Sequence, residues 1–268
     1  MTRVRFAPSP TGFPHIGNIR TAIFDWLFAR HEGGSFVLRI EDTDKARQVP
    51  GSLEEIMYVL RWMGMDWDEG PEAGGDYGPY FQSDRLDIYN KYARQLIDAG
   101  HAYYCYCTAE RLEEMRKQQQ AEGKGTGYDR HCRNLSAEEK ARLEAEGAKR
   151  VVRFAMPESG TTTYNDFIRG ELSFDNSLQD DFVMLKSDGF PTYNFASVVD
   201  DTLMKISHVI RGEEYISSMP KYVHLYAALG WKQPIWVHVP LILGPDRSKL
   251  SKRHGAVNFK SYIDEGYL

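Results

Sequence analysis

The apolar positions of this chain recur first with strand spacing, then with helical spacing, then with strand spacing again. Residues 3–7, Arg-Val-Arg-Phe-Ala, read as a short buried strand. The prolines of Pro8-Ser9-Pro10 stop it, because proline has no N–H to give a ladder. Ile19, Ala22, Ile23, Trp26 and Leu27 follow at helical spacing and predict a helix from about Asn18 to Arg30, broken by Gly33-Gly34. Phe36, Leu38 and Ile40 then alternate inward against Val37 and Arg39, a second strand. Strand, helix, strand in that order is a βαβ unit and implies a parallel sheet.

Ser52 with Glu55 reads as a capping box opening a helix that carries Leu53, Ile56, Leu60 and Met63. Ser83 reads as the start of another, bearing Leu86, Tyr89, Ala93 and Leu96 and ended by Gly100. From 108 to 148 the texture turns strongly charged, with a second capping box at Ser136 and Glu139. Antiparallel-type alternation returns at Val151, Val152 and Phe154, then at Thr163, Asn165 and Phe167. The sheet is expected to resume near 191–210, with Ile206 to Ile210 as a β-branched strand. A helix from Glu213 to Leu229, ended by Gly230, and a last apolar strand at 235–243 complete the pattern. The expected fold is α/β: a Rossmann-like parallel-sheet nucleotide-binding domain in two halves, 1–102 and 187–268, interrupted by an inserted α+β module at 103–186.

Composition narrows the class. At 268 residues, 42% hydrophobic and 26% charged, the chain reads as an ordinary globular protein. No apolar run approaches the roughly 18 residues a membrane helix needs, so no membrane partner is expected. Residues 1–12 lack the apolar stretch of a signal peptide. Three cysteines, an odd number, argue for a reducing, cytoplasmic setting. The net charge of −5 counts mildly against a nucleic-acid partner, although a local basic face survives such a sum.

Two segments carry phosphate chemistry. Pro14-His15-Ile16-Gly17-Asn18 falls after the first strand, at a helix start, where unpaired N–H groups and the macrodipole attract anions. Gly17 would let a base or ribose lie against the backbone, and His15 and Asn18 offer donors; a helix cap with an incidental histidine is the bland alternative. Lys249-Leu250-Ser251-Lys252-Arg253 follows a Gly244-Pro245 turn and sets three cations within five residues. Most such runs are solvated surface, but this one follows the last strand, at the sheet edge where ligands bind.

Together the two segments resemble the His-Ile-Gly-His-like box and the Lys-Met-Ser-Lys-Ser-like loop of class I aminoacyl-tRNA synthetases. Four further blocks resemble the catalytic part of bacterial glutamyl-tRNA synthetases: Arg5 to Gly12, Leu38 to Asp44, Pro191 to Phe195, and Val209 to Glu214. The resemblance covers essentially the whole chain. It implies ATP-dependent ligation of glutamate to tRNA-Glu through a glutamyl-adenylate, with ATP and Mg²⁺, by a monomer. Full-length members continue into an anticodon-binding region, so a truncated form is expected, and whether tRNA-Gln is also charged stays open. The alternatives are a glutamyl-queuosine tRNA-Asp synthetase-like short form, a glutaminyl-type relative, a non-catalytic tRNA-binding paralogue, or a nucleotidylyltransferase sharing only the first box.

Residue roles follow from the same resemblance. Arg5 and Arg211 would read the glutamate side chain, with Tyr193 completing the pocket and Ala7, Ser9 and Glu41 holding the rest, Glu41 facing the ammonium. Where the family often has asparagine this chain has Ser197. ATP would meet Thr11, His15, Gly17, Asn18, Glu214, Lys249, Ser251 and Lys252, with His15, Lys249 and Lys252 catalytic. Asp44 and Arg47 would lie near the tRNA acceptor end. Cys105, Cys107 and Cys132 supply three of the four ligands zinc wants, with Tyr128 or His131 as the fourth. The Cys-x-Cys, Tyr-xxx-Cys pattern resembles the zinc site of the queuosine-type relative; three reduced cysteines without metal are the alternative.

Overall fold

A computed structural model describes every residue except 245, 249, 251–257 and 268. Strands β1 (Arg3–Phe6) and β2 (Ser35–Leu38) pair in parallel, Arg3 opposite Ser35 and Phe6 opposite Leu38, with helix α1 (Ile16–His31) crossing between them. Val37 and Arg39, expected to face outward, are as fully buried as Phe36, Leu38 and Ile40. A parallel sheet is covered on both faces, so two-residue alternation loses its meaning there.

Two helix starts differ from the expected ones. Helix α2 (Ser52–Trp62) is capped by Gly51 at φ 80°, and the Ser52 hydroxyl donates instead to the Gly12 carbonyl, 2.6 Å away. Ser83 lies in the 3₁₀ turn Gln82–Arg85, ahead of α3 (Leu86–Asp98), where its N–H and hydroxyl both donate to the Asp42 carboxylate at 2.8 and 2.6 Å. In both cases a distant chain segment outcompetes the local cap.

The middle of the chain holds β3 (Ala102–Cys105), α4 (Ala109–Ala121), α5 (Ala137–Ala145), β4 (Val151–Phe154), β5 (Thr161–Asp166), β6 (Gly170–Asp175) and β7 (Val183–Leu185). The capping box at Ser136 and Glu139 forms as expected. Strands β3, β4 and β7 make an antiparallel sheet. The β5–β6 hairpin instead joins the closing part of the chain: α6 (Tyr193–Leu203), β8 (His208–Gly212), α7 (Met219–Leu229), β9 (Ile235–Val239) and α8 (Phe259–Asp264). Strands β8 and β9 are parallel, and β5 meets β9 at Asp166 opposite Trp236. Strand β8 also lies beside β1, tied through Ser207, whose N–H donates to the Arg3 carbonyl at 2.9 Å.

Three further expectations shift. The buried face of β5 is Thr162, Tyr164 and Asp166, not Thr163, Asn165 and Phe167, and Phe167 is 77% exposed. Polar residues occupy the inner face because partners await them: Thr162 bonds Asn176, and Asp166 bonds His238. Residues 193–203, where the sheet was expected to resume, are helix; an apolar run buried on most sides does not distinguish helix from strand. The stretch from Glu213 begins with 3₁₀ turns to Ser218 before α7, and Gly230 at φ 68° ends that helix.

Among the described residues two large hydrophobic cores result, with a smaller cluster around Tyr103, Cys105, Tyr106, Tyr128 and Cys132. One joins Val4, Ile19, Phe36 and Leu60 around β1, β2, α1 and α2. The other joins Tyr89, Phe154, Met184, Phe195 and Leu225 around β3, β4, β7, α3, α6 and α7.

Candidate active site

The carboxyl ends of β1 and β8 and the first turn of α1 surround a cleft of about 880 Å³ that is open to solvent. Arg5 and Ala7 reach it from β1, His15, Gly17 and Asn18 from α1, Tyr193 from α6, and Arg211 and Glu214 from the end of β8. These are residues from four separate stretches of sequence on one wall-to-wall surface, at the sheet edge where such folds bind ligands.

One end suits phosphate. His15 caps α1, and its Nδ1 accepts from the Gly17 N–H at 3.1 Å. A neutral imidazole accepting at Nδ1 carries its proton on Nε2, so the ring is set as a donor. A Cβ on Gly17 would lie 3.0 Å from the imidazole Cε1 and Nδ1. The glycine therefore makes room for His15 itself, beyond any room it leaves for a nucleotide. Lys249, Ser251 and Lys252 lie outside the described residues, but both flanks of their segment are described. Leu250 lines the cleft and donates its N–H to the Ile242 carbonyl, while Asn258 forms a bridge with His15 and the Phe259 N–H reaches the Pro14 carbonyl at 2.9 Å.

The other end suits a carboxylate. Arg211 is 4% exposed and ringed by Tyr215, Tyr222 and Trp236, with its guanidinium carbon 4.9, 4.3 and 5.3 Å from their centroids. Its Nε donates to His238 Nε2 at 3.1 Å and its Nη2 to the Met219 sulfur at 3.0 Å; among the described residues Nη1 has no hydrogen-bond partner. Among the described residues no carboxylate takes any of these donors, so the charge is buried without a directly bonded counter-ion. Arg5 is different: its Nε meets Asp201 at 3.0 Å. Burial alone would raise the Asp201 pKa, but the guanidiniums of Arg5 and Arg39 overcome it and hold the acid below its ordinary value.

Beneath the cleft lies a buried network. Arg39 bonds Asp201 at 2.8 Å and Glu41 at 3.2 Å, and Arg85 bonds Asp200 at 2.7 Å. Glu41 is enclosed there with the Ser197 hydroxyl 3.4 Å away and does not line the cleft; burial lifts its pKa to about 7 despite Arg39. Ser9, Thr11, Asp44 and Arg47 also lie off the cleft wall, the last two paired with each other.

The whole chain, residues 1–268, matches the family model described as tRNA synthetases class I (E and Q), catalytic domain. The chain belongs to this family. The glutamate–tRNA ligase of Dehalococcoides mccartyi strain CBDB1 is 59% identical over 99% of this chain and 53% of its own length. That of Moorella thermoacetica is 57% identical over 99% of this chain and 54% of its own. The chain thus spans about half the length of the curated relatives it matches. Among solved structures, a glutamate tRNA ligase from Elizabethkingia meningosepticum in complex with its amino acid superposes with a TM-score of 0.91 at 47% identity, covering 99% of this chain and 53% of that one. Methionyl-tRNA synthetase of Mycobacterium tuberculosis shares the fold alone, at a TM-score of 0.51 and 11% identity.

This class I synthetase domain also brings its cysteines together. The sulfurs of Cys105, Cys107 and Cys132 lie within 4.8 Å of one another. The Tyr128 hydroxyl joins them, 3.3 Å from Cys105 and 3.5 Å from Cys107, and Cys107 is 3.5 Å from Cys132. Zinc–sulfur bonds of about 2.3 Å at tetrahedral angles require donor separations of about 3.8 Å, so the four donors fit a zinc ion after a small expansion. Of the two fourth ligands considered, Tyr128 is the one in the cluster; His131 is exposed.

Sequence reading missed several groups of the synthetase cleft. Asp25 lines it fully buried, neither carboxylate oxygen has a hydrogen-bond partner among the described residues, and burial raises its pKa well above the ordinary range. Its signal was legible: an acid between Ala22 and Ala29 on the buried stripe of α1. His238 had a similar one, a lone polar residue on the face of β9 it shares with Trp236. Asp166 and Asp201 had none, because carboxylates in mixed segments are ordinarily solvated.

Proposed function

We propose that the chain is the ATP-dependent glutamate-activating and transferring part of a glutamate–tRNA ligase. The observation that carries this is Arg211: a buried guanidinium with a hydrogen-bonding edge unspent, facing the same cleft as a histidine-capped helix start. Burying an unpaired charge costs several kcal/mol, which a bound side-chain carboxylate would offset. A neutral glutamine amide brings an N–H toward that guanidinium and loses the charge pairing, so the same device discriminates. Tyr193 closes the pocket beside Arg211, Arg5 adds a second cation, and Ala7 bounds the rest. Glu41, once ionised, would attract the ammonium from behind the cleft wall, as a charge and not as a contact.

In this reading the substrate α-carboxylate attacks the α-phosphorus of ATP and pyrophosphate leaves. No protein nucleophile is needed, so catalysis is positioning and charge stabilisation. His15 donates from Nε2 to the phosphates at the α1 start, with Gly17 and Asn18 around the nucleotide and Glu214 toward its ribose or adenine. Lys249, Ser251 and Lys252, in a segment whose flanks border the cleft, neutralise charge on the departing pyrophosphate. Mg²⁺ bound with ATP would supply further charge neutralisation. The tRNA terminal adenosine hydroxyl then attacks the mixed anhydride.

Residues 103–186 would form a module that meets the tRNA-Glu acceptor end together with Asp44 and Arg47. A zinc ion held by Cys105, Cys107, Tyr128 and Cys132 would pin it structurally. The names of the relatives and the presence of Arg211, His15 and Glu214 on one cleft favour this reading over a queuosine ligase or a non-catalytic paralogue. The test is glutamate-dependent ATP–pyrophosphate exchange by this chain, with and without tRNA-Glu. Exchange with glutamate but not glutamine is expected; none with either, tRNA present, overturns the reading.

A further inference from the structure

Arg211 does not orient itself. Its Nε is held by His238, which is fully buried on β9, and His238 is held in turn by Asp166 at the end of β5, Nδ1 to Oδ2 at 2.6 Å. The other oxygen of Asp166 accepts from the Ile168 and Arg169 N–H groups at 3.0 and 3.1 Å, which fixes the carboxylate before histidine is considered. Asp166 is also the residue through which the hairpin pairs with β9, and the next N–H, of Phe167, donates to the Trp236 carbonyl at 2.8 Å.

Only one protonation state satisfies this chain of contacts. A carboxylate accepts, so His238 Nδ1 carries the proton, and Nε2 is left with a lone pair. A guanidinium only donates, so Arg211 Nε needs that lone pair. The other tautomer would set N–H against N–H, and a charged ring would set cation against cation in the core. Burial and the neighbouring Arg211 push the His238 pKa down to about 4, in keeping with a neutral ring.

We propose that Asp166 and His238 are positioning residues for amino-acid selection: Asp166 selects the histidine tautomer, and His238 anchors the inner edge of Arg211 so that Nη1 is presented to the substrate side chain. This rests on the reading of Arg211 as the side-chain sensor. Neither residue touches substrate; the hairpin, otherwise an edge addition to the sheet, becomes a brace for specificity.

Asp166→Asn tests it. The amide nearly keeps the shape but offers histidine an N–H as well as an oxygen, freeing the wrong tautomer. Partners that orient metal-ligating histidines are worth on the order of tenfold to a hundredfold, and a loss of similar size is expected for this non-metal pair. Titration calorimetry of the chain with glutamate and with glutamine should show a loss of glutamate affinity of that order and a matching loss of the glutamate-to-glutamine ratio, with ATP affinity unchanged. His238→Gln, whose amide oxygen accepts from Arg211 without any tautomer, should retain more selectivity than His238→Ala. In that background Asp166→Asn should have no further effect on selectivity. Arg211→Ala separates the two levels: if it keeps wild-type selectivity, the sensor reading falls and the brace with it. If Arg211→Ala loses selectivity while Asp166→Asn and His238→Ala both keep it, the brace alone is wrong. Equal weakening of ATP and glutamate by Asp166→Asn and His238→Gln would mark a merely structural role and also overturn it.

Discussion

In the proposed reading Glu41 should tie stability and glutamate binding to pH in opposite directions. Its carboxyl is enclosed beside Arg39 and Ser197, and burial lifts its pKa from 4.5 to about 7. The fold therefore holds the proton more tightly than the unfolded chain does. That contribution is complete below pH 4.5 and is lost as the pH rises through 7, of order 3 kcal/mol in all. Glu41→Gln removes the dependence, so wild type should lose melting temperature relative to the variant between pH 4.5 and 8. Glutamate affinity should run the other way, rising in wild type from pH 6 to 8 as the carboxylate forms to meet the ammonium, and staying flat in Glu41→Gln. Parallel melting and calorimetric pH series check both.

At the scale of elements, α1 works through its first turn. Helical propensity favours alanine over glycine by about 1 kcal/mol in a helix interior, so Gly17→Ala should leave the fold intact. The added methyl would press on the imidazole at 3.0 Å and move Nε2. The expectation is an unchanged or slightly raised melting temperature with adenylation slowed at least tenfold, measured on the same preparation. The cysteine cluster joins β3, the turn carrying Cys132 and the loop carrying Tyr128, three pieces that share only a small core around Tyr103 and Tyr106. Zinc content near one per chain is expected. Chelation or Cys132→Ser should release it and lower the melting temperature by several degrees, while glutamate affinity at the distant cleft stays within twofold. A metal-free native protein with the same melting temperature would remove the metal from the account.

Across the whole molecule, the cleft exists because the chain returns to its beginning. Leu250 and Asn258 both border it, one at the Ile242 side and one at His15. In the proposed mechanism the cations between them act on charge that develops as pyrophosphate leaves. Lys252→Ala should therefore slow single-turnover adenylation by a hundredfold or more while glutamate affinity changes less than threefold. Rapid quench and equilibrium titration together decide it, and equal losses in both would take Lys252 out of that role.

The sequence by itself determined what is local or repeated as a block: the opening βαβ unit, the cap at Ser136, the ends of α3 and α7 at their glycines, and the family through six short blocks. Arg5, His15 and Arg211 could be singled out because their neighbours carry the family pattern, and all three line the cleft. Only the tertiary structure decided what each polar group meets. Ser52 and Ser83 left their expected caps for Gly12 and Asp42. The β5 face turned over to bring Asp166 to His238, and Arg211 emerged buried with no carboxylate among its hydrogen-bond partners. The reason is physical: periodicity is written within a few residues, whereas burial, partner and protonation state depend on which distant surfaces close on one another, and that is a property of the packed chain.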